Sequence, residues 1–121
     1  MYMSKYTIVL YTKENGECQI KSFIDSLEIK MQAKVLRMIS LLKQNGSELR
    51  EPYTKSLSDG ILELRIIQGN NIVRILFFFM KENTIVLTNG FTKKRNKNQK
   101  KEIELAQKYR EDYLERIGKL T

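Results

Sequence analysis

Arg65 and Arg74 stand inside two of the most apolar runs of the chain, residues 61–67 and 72–80. Desolvating an unpaired guanidinium is costly, so each arginine must meet water, an acid or a ligand. The two runs flank Gln68-Gly69-Asn70-Asn71, a turn signal between β-branched segments, which predicts a β-hairpin. A loop of two or four residues centred on Gly69 and Asn70 puts Arg65 directly opposite Arg74 on one sheet face. A three-residue loop puts them on opposite faces. Like charges facing each other across strands repel, an anion held between them relieves the repulsion, and the guanidinium fork suits phosphate oxygens. The competing reading gives each arginine a carboxylate, such as Glu63 or Glu82, that ties the sheet together. Glu63 shares a strand and face with Arg65 and serves as a proton acceptor or as a neutralising partner, the second being preferred.

The segment 92–101 carries Lys93, Lys94, Arg95, Lys97, Lys100 and Lys101 and no acid. A run of charge is most often a solvated surface. Here it follows a strand directly and opens a helix whose first turn disfavours cations through the macrodipole, so contact with an RNA backbone is the better reading. Lys55, at the head of the same basic half, is grouped with Arg95, Lys97, Lys100 and Lys101 as an RNA-backbone contact. Phe91 is positioned to stack on a base, although an aromatic at a strand end is more often core.

At 121 residues and a formal charge of +8, the chain is expected to form one domain, residues 1–121, with an anionic partner. It has no histidine and one cysteine, Cys18. Histidine catalysis, Cys-His nucleophile pairs, zinc sites and disulfides within the chain are thereby excluded, and neither metal nor cofactor is expected. No apolar run approaches the roughly 18 residues of a membrane span, and the apolar stretch near the N-terminus is too short for a signal peptide. A cytoplasmic protein that avoids membranes is expected.

Around the hairpin, residues 5–11 read as a first strand, 17–27 as a short helix with Ile20, Phe23, Ile24 and Leu27 inward, and 29–45 as the strongest helix. That helix is expected to bury Val35, Leu36, Ile39 and Leu42 and to stop at Gly46. Ser58-Asp59-Gly60 marks a turn before the hairpin, and Lys81-Glu82-Asn83 leads to a third apolar run at 85–87. Residues 102–116 read as a last helix, capped by Asn96 or Asn98, with Ile103, Leu105, Ala106, Tyr109 and Tyr113 available for packing. The predicted class is α+β, order βααβββα, with a small, mostly antiparallel sheet flanked by helices that cover one face.

Three phrases in order, LSDGILELR, then RILFFF, then GFTKK followed by KKEIELA, resemble the HigB branch of the RelE-like toxins, including phage-derived HigB-like proteins. The stretch that these motifs span is about half of the 121 residues. The resemblance implies the toxin of a type II toxin-antitoxin pair, a ribosome-dependent endonuclease that cuts messenger RNA and so inhibits translation. It also implies a helix-turn-helix, HigA-like antitoxin partner that carries the contact with operator DNA. By motif, Arg65, Arg74, Lys93 and Lys94 occupy the positions where such toxins keep substrate-contacting and catalytic cations. Which of the two lysines acts is left open.

Metal-free RNA cleavage proceeds by attack of a 2′-OH on the adjacent phosphate. Arginines stabilise the growing phosphorane charge. A lysine acting as base would need its pKa, about 10.4 in model peptides, lowered by roughly three units, about 4 kcal/mol, and crowded cations push in that direction. The alternative function is a basic binding module without turnover, an RNA binder or a gyrase inhibitor like some relatives.

Overall fold

The computed structural model describes residues 5–93 and 99–120. Five strands form one sheet: β1 (Thr7–Leu10), β2 (Thr54–Ser58), β3 (Ile61–Gln68), β4 (Asn71–Met80) and β5 (Thr84–Thr92). Among the described residues, three α-helices pack on it: α1 (Gln19–Asp25), α2 (Ile29–Asn45) and α3 (Lys100–Gly118). The strand order is β1-β5-β4-β3-β2, with β1 parallel to β5 and every other pair antiparallel. The α+β class and the mostly antiparallel sheet are as expected. The sheet gains one strand over the expected order, because the residues before the Asp59-Gly60 turn pair with β3 as the edge strand β2.

The helices do not share a face. Leu64, Ile66, Val73, Ile75, Phe77, Ile85 and Leu87 point into a cluster with Ile20, Met31, Val35, Met38 and Leu42 of α1 and α2. Ile61, Leu76, Phe78 and Val86, on the other face, pack with Tyr11 and with Ala106 and Tyr109 of α3. The expectation of helices on one face is therefore corrected. A strand that is apolar at nearly every position, as β4 is over residues 72–80, is buried on both sides.

Helix α2 has the expected bounds, but its inward stripe is Met31, Val35, Met38 and Leu42. Leu36, expected in the core, is 58% exposed. It neighbours Val35 in sequence, yet one residue is a 100° step around a helix, and the period-3.6 row through Val35 and Leu42 passes it by. Gly46 ends the helix at φ +53, and a Cβ there would lie 2.0 Å from the Tyr6 ring.

Strand β5 runs five residues beyond the expected 85–87. Its register against β4 shifts between Leu76 and Phe77, so Phe77 pairs with Leu87 and Leu76 with Asn89. Thr88 is the extra residue of this bulge, its hydroxyl donating to Leu76 O at 3.1 Å. A bulge re-aims the side chains that follow. Gly90 turns toward α1, where a Cβ would come within 2.5 Å of Phe23, and Asn89 turns toward α3. Past the short β1, the backbone of Gly90 is completed by the Gln19 side chain, which accepts from Gly90 N and donates to Gly90 O, both at 2.8 Å.

Candidate functional site

The turn between β3 and β4 is the two-residue form, with Gln68 opposite Asn71 and Gly69 at φ +61. Arg65 is therefore paired with Arg74 on one sheet face, as the hairpin geometry requires, and that face is the one α3 covers. The same face carries Glu63 two residues earlier on β3 and Phe91 opposite Arg74 on β5. Helix α3 covers the apolar part of this face and begins beside the charged part.

A cleft of about 390 Å³ opens there, lined by Lys55 of β2, Glu63 and Arg65 of β3, Arg74 of β4, Lys93, and Gln99 ahead of α3. Lys93 belongs to the end of the ladder, its backbone N–H donating to Ile72 O at 2.9 Å. Lys93 and Gln99 also line a neighbouring depression with Ser58, Lys100 and Ile103. Of the sequence-derived residues, Arg65, Arg74, Lys93 and Lys55 thus share one cleft and Lys100 borders it. Lys101 is exposed on the first turn of α3 and is not among the residues lining the cleft. Phe91 is half-buried and packs on the α3-side core, which is the core reading of that aromatic. Lys94, Arg95 and Lys97, and the expected caps Asn96 and Asn98, lie outside the described residues.

Within the cleft the two arginines differ. Arg74 is 5% exposed, and its Nη1 donates to both oxygens of Glu63, at 2.7 and 2.6 Å, Glu63 being 2% exposed. The preferred role of Glu63 as neutralising partner is the one the geometry shows. Arg65 is half-buried and has no side-chain ion pair among the described residues. Glu51 also lines the cleft, so two acids stand there against four cations, of which Arg65, Lys55 and Lys93 have no ion pair among the described residues. No group of three or more Cys, Asp or Glu side chains among the described residues gathers as metal ligands do.

Helix α3 is held over this face by polar ties. Asn89, fully buried, donates from Nδ2 to Glu102 O at 3.3 Å and to Glu102 Oε1 at 3.1 Å, fixing the first turn. Farther along, Arg110 reaches the β2–β3 turn and donates to Asp59 Oδ2 at 2.6 Å. Near the C-terminal end, the Tyr11 hydroxyl donates to Asp112 Oδ2 at 2.6 Å, and Arg116 Nε donates to the same oxygen at 3.0 Å. The Tyr11 ring stacks on Tyr109 with centroids 4.4 Å apart. Burial, reinforced by the Asp112 carboxylate, pushes the Tyr11 hydroxyl up to about 12, while the Tyr11 hydrogen bond, with Arg116, holds the Asp112 carboxyl below its usual value. Sequence reasoning passed over Gln99 and Asn89. Gln99 was legible as the residue bridging the basic run and the helix, whereas Asn89 reads as a turn former until the bulge is known.

A mostly antiparallel sheet with helices on both faces, and a cleft lined by Lys55, Arg65, Arg74 and Lys93 beside the start of α3, defines the class: a small α+β protein. The family model described as "Phage derived protein Gp49-like (DUF891)" matches residues 22–111, about three quarters of the chain. The chain belongs to this family, which is part of the RelE/ParE-like toxin superfamily. No curated protein matches the chain significantly. Among the described residues, no helix is long and apolar enough to cross a membrane.

Proposed function

We propose that the chain is the toxin of a type II toxin-antitoxin pair of the HigB type and that it cuts messenger RNA on the ribosome. The observation that carries this reading is the cross-strand pair Arg65 and Arg74 in a cleft with Lys55 and Lys93. In this mechanism the substrate's own 2′-OH attacks the adjacent phosphorus. The P–O5′ bond breaks, leaving a 2′,3′-cyclic phosphate and a 5′-hydroxyl. Arg65 and Arg74 stabilise the charge on the non-bridging oxygens, which is usually the largest catalytic contribution. Lys93 or Lys94 is the further cation at the reacting phosphate, while Lys55, Arg95, Lys97, Lys100 and Lys101 hold the flanking backbone. No metal enters these steps. The antitoxin, a helix-turn-helix protein that carries the operator-DNA contact, silences this +8 chain in the cytoplasm with acidic and apolar segments.

Single-turnover cleavage of messenger RNA on ribosomes, with each variant saturating, tests the assignment. Arg65→Ala and Arg74→Ala should each slow cleavage by roughly 100-fold or more, the scale of losing one charge-stabilising donor. Lys100→Ala and Lys101→Ala should weaken binding and lower its salt slope by about one ion while sparing the saturated rate. Parental rates for Arg65→Ala and Arg74→Ala at saturation would remove both from the chemistry. One observation favours a second reading, a binding module without turnover: Arg74 is already neutralised by Glu63. Induction that halts growth with transcripts intact, and with DNA-damage signalling first, would select that reading.

A further inference from the structure

Arg74 pairs with Glu63 in an unusual way. Arginine and carboxylate commonly meet fork to fork, two nitrogens on two oxygens. Here both Glu63 oxygens sit on one nitrogen, Nη1, at 2.6 and 2.7 Å, with the two side chains 2% and 6% exposed. Arg74 Nε is buried and has no hydrogen-bond partner among the described residues, and the same holds for Nε of Arg65 on the facing strand. A buried donor without an acceptor carries its full desolvation penalty, so native proteins rarely leave one. Two such donors, on arginines paired across adjacent strands and lining one cleft, mark the place of a missing acceptor.

We infer that Glu63 is a positioning residue: it grips Arg74 by Nη1 alone and thereby turns the Nε edge of Arg74, with that of Arg65, toward a single tetrahedral oxyanion, a backbone phosphodiester. The inference rests on the proposed reading that the cleft receives RNA. It also takes Glu63 out of proton transfer, since both its oxygens already accept from Arg74 and the carboxylate is closed to water. A guanidinium held at one nitrogen loses rotational freedom before the ligand arrives, and such preorganisation strengthens binding without a new contact.

Arginine side-chain nitrogen NMR on the whole protein reads this directly. In the parent, the Arg74 Nη signals should be resolved because rotation is restrained. An uncleavable 2′-deoxy dinucleotide phosphodiester should move the Nε–H signals of Arg65 and Arg74 together, with inorganic phosphate doing so more weakly. Glu63→Gln should average the Arg74 Nη signals and weaken dinucleotide binding at least 10-fold. Glu63→Asp keeps the charge with a shorter reach, guards against a Gln variant that fails to fold, and should show the same loss in milder form. The acid limb of the pH–rate profile should persist in both variants, because a positioning residue does not supply the titrating base. Probe binding that leaves both Nε–H signals unmoved, or parental affinity in a folded Glu63→Asp with averaged Arg74 signals, would overturn the inference. If the dinucleotide binds as described and ribosomes yield no cut RNA, the nuclease reading fails and this one stands. If RNA is cut while the Nε–H signals ignore the probe, the reverse holds.

Discussion

The two faces of one sheet are built to different rules, although the same strands supply both. Toward α1 and α2 the strands present Leu64, Ile66, Val73, Ile75, Phe77, Ile85 and Leu87, all apolar and all buried. Toward α3 they present Ile61, Leu76, Phe78 and Val86, and then, at one end, Glu63, Arg65, Arg74 and Asn89. The helices follow the same division. Over its 17 residues α2 buries four side chains, Met31, Val35, Met38 and Leu42, whereas α3 buries two over 19, Ala106 and Tyr109. Thin apolar contact explains why α3 needs the Asn89, Asp59 and Tyr11 ties. The lesson is a separation of tasks: one face contributes most of the stability, which lets the other hold charge in a place where charge is unfavourable.

Truncation on the apolar face should have the largest effect. Phe77 is fully buried and meets Phe79 edge to face at 5.6 Å. Phe77→Ala should cost about 3–5 kcal/mol in urea unfolding, from lost burial and the cavity left behind. A loss below about 1 kcal/mol would mean that this face is not where stability resides.

On the charged face, the expected pattern depends on how many partners are removed. Arg74→Met leaves Glu63 buried without its cation and should cost about 3 kcal/mol or more, whereas Glu63→Met with Arg74→Met should return to the parental stability or exceed it. Urea midpoints of the single and double variants check this. A double variant as unstable as the single one would make the ion pair a structural necessity and blur the contrast between the faces.

Gly90 lies where the two rules meet, its backbone held by Gln19 and its α-carbon pressed by Phe23. Gly90→Ala should cost about 1–3 kcal/mol through overpacking against α1. Thermal unfolding measures it, and an unchanged midpoint would mean that α1 yields freely.

What the sequence made legible was local. The register of the hairpin follows from a two-residue turn, and with it the meeting of Arg65 and Arg74. The bounds of α2 follow from its periodicity and Gly46. The rest depended on tertiary contacts. Leu36 and Val35 are equally apolar, and only the direction of the sheet decides which is covered. Asn89 and Gly90 look like the end of a strand because their compensations, Glu102 and Gln19, are 13 and 71 residues away in sequence. The pairing of Glu63 with Arg74 was one of several open alternatives, since residue types on a face do not say which oxygen meets which nitrogen. Lys93 reaches the cleft because β5 continues through the bulge, which no local pattern announces.

The smallest effect expected concerns the far end of α3, where Tyr11 ties β1 to the helix. Tyr11→Phe removes the hydrogen bond to Asp112 and should cost about 1.5 kcal/mol near neutral pH, the lower end for a bond to a charged group. Its pH dependence is more telling than its size. The folded state holds the Tyr11 hydroxyl up to about 12, against about 10 for a free tyrosine, first through burial and then through the nearby Asp112 carboxylate. A raised pKa means that the fold favours the protonated phenol, so this stabilisation is complete below about pH 10 and is lost as the pH climbs toward 12. Lysines titrate over the same range, and the comparison with Tyr11→Phe cancels them. The stability gap between parent and variant should be constant from pH 7 to 9 and should close between pH 10 and 12, followed by urea unfolding at each pH. A gap that stays level to pH 12 would show that the hydroxyl is not held against Asp112, and the polar anchoring that distinguishes α3 from α2 would lose one of its three ties.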